Sequence, residues 1–107
     1  MLKKLISTLI DTARTLGLGV SDLDNAQDLL DNREYGLAFD TIITQLYEYE
    51  IEIDKELYDL IDKMAQKMDI SESGYSFMQE LIREENIVPK PVKDKLAEIL
   101  KNIEVSK

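Results

Sequence analysis

Neither cysteine nor histidine nor tryptophan occurs in this 107-residue chain, and proline and glycine are held to two and four positions. Without cysteine there are no disulfides, thiol nucleophiles or thiolate metal sites, and nothing in the fold requires an oxidising compartment. Without histidine the commonest general base and the commonest nitrogen ligand are both gone, which removes a participant from most hydrolase and transferase schemes. The expectation is a protein with no catalytic activity, no cofactor and no bound metal. Long apolar runs are missing as well: none reaches seven residues, against about 20 for a membrane-spanning helix. Lys3 and Lys4 precede Leu5, Ile6, Leu9 and Ile10, but Ser7, Thr8 and Asp11 interrupt the run before a signal segment could form. A cytoplasmic location is expected.

What is present in excess is negative charge, and it is concentrated. Thirteen of the 22 carboxylates but only two of the 13 bases, Arg33 and Lys55, lie between Ser21 and Asp62, so that stretch carries −11 against −9 for the whole chain. The remainder is slightly basic. Crowded like charges repel and lower the stability of the free protein, while a localised field steers cationic partners inward. Direct nucleic-acid binding is disfavoured because phosphates demand the opposite sign. With 44% hydrophobic residues and few prolines and glycines, the chain is expected to fold as one domain over residues 1–107.

Apolar residues recur at helical spacing through most of the sequence. Leu2, Leu5, Ile6, Leu9, Ala13 and Leu16 form a first stripe, closed by Gly17 and Gly19. Ser21 is the expected N-cap of a second helix, with Leu23, Ala26 and Leu30 inward and Asp24, Asp28 and Asp31 outward. Those three acids have no base on their helix to relieve them, at a cost of about 0.2–0.5 kcal/mol per neighbouring pair. Tyr35, Ala38, Phe39, Ile42, Leu46 and Tyr49 make a third stripe. Asp54 is placed to cap a fourth helix with Leu57, Leu60, Ile61, Met64 and Met68 inward, and these two helices are expected to form the core pair. A turn over Ser71 to Gly74 leads to a short helix carrying Phe77, Met78, Leu81 and Ile82. Pro91 suits the first position of a last helix with Val92, Leu96, Ile99, Leu100 and Ile103. Short connections imply an all-α single small bundle of five or six helices.

One segment departs from this rhythm. From Tyr47 to Asp54, apolar and acidic residues alternate strictly, which is the period of an extended chain with two unlike faces. It reads as a short extended connector near 50–54 that tucks Ile51 and Ile53 into the core, or as a strand that pairs with a partner's sheet edge. Both readings expose Glu48, Glu50 and Glu52. Other motifs fail on their own terms. Asp22, Asp24 and Asp28 sit at positions 1, 3 and 7 of a calcium loop, but Gln27 and Arg33 replace the required glycine and bidentate carboxylate. Gly17 and Gly19 do not continue to a third glycine, and Gly74 to Phe77 lacks the second glycine of a nucleophile elbow. The pairs Glu84 with Glu85 and Asp59 with Asp62 are read as solvated helix faces.

The blocks Glu34-Tyr-Gly-Leu-Ala-Phe-Asp40 and Gln45-Leu-Tyr-Glu-Tyr-Glu50, followed by Ile53, Tyr58 to Ile61, Met64 and Met68, resemble the MafI family of immunity proteins. The likeness runs from about Leu29 to Ile82. It implies a small cytosolic helical protein whose partner is a cognate toxin domain, in several such systems an EndoU-type ribonuclease, and it carries no catalytic motif. An acidic helical face could fill the cationic cleft of such an enzyme and keep RNA out. On that reading the toxin-binding residues are Asp40 and Glu48 from the third helix, Glu50 and Glu52 from the connector, and Asp59 and Asp62 from the fourth helix. Tyr47 is the expected aromatic anchor, with Tyr35 and Tyr49 in the core and the protein a monomer. An acidic adaptor for another basic protein and a DNA-mimicking inhibitor share the same composition.

Overall fold

The computed structural model describes residues 2–84 and 88–105, with side chains through 102; Ile103 and Glu85, both singled out above, fall outside the described side chains. Among the described residues five α-helices form an all-α bundle: α1 (Leu2–Leu16), α2 (Val20–Asp31), α3 (Tyr35–Glu48), α4 (Lys55–Lys67) and α5 (Lys90–Val105). Between α4 and α5 the chain makes two 3-10 segments, Glu72–Gly74 and Ser76–Leu81, where the sequence suggested a turn and a short α-helix. Two very short strands, β1 (Ile53–Asp54) and β2 (Ile82–Arg83), pair in parallel with Ile53 opposite Ile82 and Asp54 opposite Arg83. The extended connector is therefore real, and its strand pairs within the chain.

Helix ends explain much of the path. The Leu18 N–H bonds to the Ala13 carbonyl and the Gly17 N–H to the Arg14 carbonyl, the paired bonds of a Schellman closure, with Gly17 at φ 101°. The same two bonds close α2, α3 and α4, but there the left-handed residue is Arg33 (φ 61°), Glu50 (φ 52°) or Asp69 (φ 58°). A non-glycine residue in that region is strained by about 1 kcal/mol. After Gly17 the chain leaves Gly19 extended, at φ −66° and ψ 151°, and α2 starts at once at Val20. Ser21 is thus an exposed first-turn residue and Gly19, with no side chain to offer, is the cap. Asp54 does cap α4, its Oδ1 accepting from the Leu57 N–H at 2.8 Å. α5 begins one residue earlier than Pro91 implied, because the Pro89 carbonyl already accepts from the Val92 and Lys93 N–H groups.

The core is organised around α1. It packs against α2, α3 and α5, while α4 packs on α5 and makes little or no contact with α3. The expected α3–α4 core pair is therefore not formed: the three-residue link after α2 folds α2 and α3 into a tight antiparallel hairpin that leaves α1, not α4, as the third partner. Leu5, Ile6, Leu9, Ile10 and Ala13 of α1 are at most 1% exposed, each large one contributing about 1.5–3 kcal/mol by its burial. Thr8 and Thr12 share this buried face because their hydroxyls donate to the Lys4 and Thr8 carbonyls one turn back, both at 2.8 Å, leaving no polar atom unsatisfied. Leu23, Ala26, Leu30, Ala38, Phe39, Ile42, Leu46, Leu57, Leu60, Ile61 and Met64 are buried as their stripes required, as are Leu96, Ile99 and Leu100 of α5. Tyr49 is not. It stands 63% exposed, beyond the last turn of α3.

Candidate functional site

α3 ends at Glu48, and the left-handed turn at Glu50 throws the next residues back across the bundle toward β2. That reversal brings Glu48, Glu50 and Glu52 around one cleft of about 470 Å³ with Tyr47, Glu80, Leu81 and Arg83. Its opposite wall comes from the second 3-10 segment and β2, held in place by the β1–β2 pairing. Four carboxylates and one guanidinium line it. Arg83 Nε donates to Glu52 Oε2 at 2.6 Å, and its Nη1 donates to the Glu80 and Ile82 carbonyls. Glu48, Glu50 and Glu80 enter no ion pair among the described residues, so the cleft keeps an excess of negative charge facing solvent.

Tyr47 lines the cleft, whereas Tyr49, expected in the core, is exposed. Tyr47 is half-buried, its ring edge-on to Phe77 at 5.0 Å and its hydroxyl donating to Glu80 Oε2 at 3.1 Å. Accepting that bond, and by its charge, Glu80 raises the phenol's pKa above 10. Tyr49 instead projects into solvent next to Glu48 and Glu50. Val20, 72% exposed at the start of α2, belongs to the same end of the α2–α3 hairpin.

The remaining sequence-predicted residues lie apart from the cleft. Asp40 is exposed on α3 two turns before Glu48, about 12 Å along the axis. On α4, Asp59 pairs with Lys55 one turn away. Asp62 accepts from the Tyr75 hydroxyl and from Gln66 Nε2. The Asp62 bond, together with burial, pushes the Tyr75 phenol up to about 12. Asp62 is thus occupied in holding the 3-10 region to α4.

Glu80 and Arg83 escaped the sequence reading because they enter the cleft through a strand pairing between segments about thirty residues apart. A second arrangement was also missed. Lys93, only 3% exposed, donates to Asp54 Oδ2 and lies 3.0 Å from both Asp54 Oδ2 and Glu56 Oε2. Burial pulls its pKa down, but the hydrogen bonds to Asp54 and Glu56 outweigh this and raise it, so the lysine stays charged.

Asp22, Asp24 and Asp28 all lie within α2, so the segment that spaced them like a calcium loop is helix. Among the described residues no helix is long and apolar enough to cross a membrane. The chain matches no family model, no curated protein and no solved structure.

Proposed function

We propose that this protein is a non-catalytic binder of a basic protein surface and, within that class, an immunity protein that acts in the cytosol as a monomer to neutralise a cognate nuclease toxin. The observation that carries the reading is the cleft at the end of α3, where Glu48, Glu50 and Glu80 face solvent without ion-pair partners among the described residues, with the exposed Tyr49 between Glu48 and Glu50 in the chain. Carboxylates left unpaired in the free protein pay repulsion there, and recover it only when a cationic group arrives. An RNA-cleaving enzyme displays such groups, because its own substrate is an anion. Lysines and arginines of the toxin would enter the cleft with charge-assisted hydrogen bonds, Tyr49 would supply the aromatic anchor, and the helical bundle would bar RNA by its bulk. The resemblance of the 34–40 and 45–50 blocks to MafI immunity proteins supports the same assignment, and the second block supplies Tyr47, Glu48 and Glu50 of this cleft.

The test is co-expression with a candidate nuclease toxin domain, chosen by gene neighbourhood, followed by binding kinetics. Protection should require stoichiometric amounts, and Glu48→Lys with Glu50→Lys should slow association at least tenfold and flatten its salt dependence. Asp94→Lys with Glu98→Lys, an equal charge change on α5, should do neither. Protection by trace amounts, or equal damage from both pairs, would refute the proposal.

A further inference from the structure

We infer that α5 is fastened to the rear of the acidic cleft through Lys93, so that the docking of this helix sets the geometry of the cleft. The inference rests on the reading of that cleft as the binding surface only for its functional consequence; the coupling itself is a property of the fold. Lys93 falls on the inward stripe of α5, three and seven residues before Leu96 and Leu100. A lysine on that stripe is tolerable only if its ammonium meets a buried acid. The acid is Asp54, 6% exposed, and it serves three segments at once. Oδ1 caps α4 at the Leu57 N–H, while Oδ2 accepts from Lys93 Nζ and, at 3.4 Å, from the Val88 N–H ahead of α5. Asp54 is also the β1 residue opposite Arg83. Arg83 in turn holds Glu52 and the Glu80 carbonyl, which are cleft walls. The connection from α5 to the cleft therefore runs through one carboxylate and one two-residue strand pair, with a polar bond at each step. Among the described residues α5 packs on α1 and α4 and makes little or no backbone-level approach to α2 or α3. By reciprocity, whatever displaces α5 loosens the cleft, and whatever fills the cleft and holds Arg83 secures α5.

The experiment is amide hydrogen exchange on the free protein, with the Arg83 Nε–Hε resonance followed by NMR. Lys93→Met alone would strand a buried carboxylate, so the informative variant is Asp54→Asn with Lys93→Met, which removes both charges and keeps a capping side chain on α4. Exchange over residues 92–102 should accelerate at least tenfold, residues 52–54 and 80–84 should accelerate with it, and the Arg83 Nε–Hε proton should exchange faster than in the parent chain. Amides of α2 and α3 should be unchanged. Asp94→Asn, which breaks the exposed Lys90–Asp94 pair, should alter none of these. If α5 loosens while residues 52–54, 80–84 and the Arg83 signal do not respond, the coupling is refuted. Uniform acceleration over all helices, or no acceleration in α5, refutes it equally.

Discussion

Glu50 and Asp54 stand four residues apart in the same alternating run and do opposite work. Glu50 lies in solvent at a strained left-handed position, without an ion pair among the described residues, on the wall of a cleft that already holds too much negative charge. Asp54 is buried, and its two oxygens accept from a helix N-terminus, a linker amide and a lysine ammonium. The first is a liability to the free protein and the second a fastening. Acidity in the sequence therefore marks two different things, and what separates them is whether a base from elsewhere in the chain reaches the carboxylate.

The largest expected effect breaks the fastening. Asp54→Ala removes the cap of α4 and takes from Lys93 its buried carboxylate, a combination that should cost about 3–5 kcal/mol. In a domain of this size that is a fall of at least 12 °C in Tm, at about 4 °C or more per kcal/mol. Glu48→Ala should change stability by less than about 0.5 kcal/mol in either direction. Thermal unfolding of the two variants decides the matter: similar losses would mean that the buried ion pair contributes nothing beyond an exposed acid.

A smaller effect separates the two tyrosines. Tyr47→Ala loses a half-buried ring and its edge contact with Phe77, worth about 1–2 kcal/mol of stability. Tyr49→Ala should leave the urea midpoint unchanged. With a toxin bound, the order should invert, Tyr49→Ala speeding dissociation about 30-fold, the equivalent of about 2 kcal/mol. A stability loss from Tyr49→Ala as large as that from Tyr47→Ala would place both rings in the fold and remove Tyr49 as an anchor.

The position of Tyr49 shows where the sequence could be read and where it could not. The stripes of α1, α2 and α4 placed their buried residues correctly because burial on a helix repeats locally, every three or four positions. The same repeat placed Tyr49 inward by continuing α3 one residue too far; the helix stops at Glu48, and no further turn of bundle stands there to cover the ring. The link from Glu52 to Arg83 spans 31 residues and that from Asp54 to Lys93 spans 39. No periodicity encodes such pairings. Lys93 itself was a signal available in advance, since a lysine three residues before Leu96 and seven before Leu100 on an inward stripe requires a buried acid, but the alternation that turns Ile53 inward puts Asp54 on the opposite face and so gave no hint of which acid that is.

The smallest effect sharpens the comparison at Glu50 itself. Glycine there should relieve the left-handed strain and the repulsion from Glu48 and Glu52, while the more flexible unfolded chain takes back part of the gain. Glu50→Gly should therefore stabilise the free protein by about 0.5 kcal/mol. Arg33→Gly should gain about as much from strain alone, and Asp69→Gly less, because aspartate tolerates the left-handed region better than glutamate or arginine. Gly17→Ala, where an added Cβ meets nothing within 4 Å, should lose about 1 kcal/mol from backbone strain alone, and this variant calibrates the scale. If Glu50 serves a partner, Glu50→Gly alone among the four will weaken toxin binding as it raises the denaturation midpoint. A lower midpoint for Glu50→Gly would mean that the side chain holds the fold together after all, and the contrast with Asp54 would disappear.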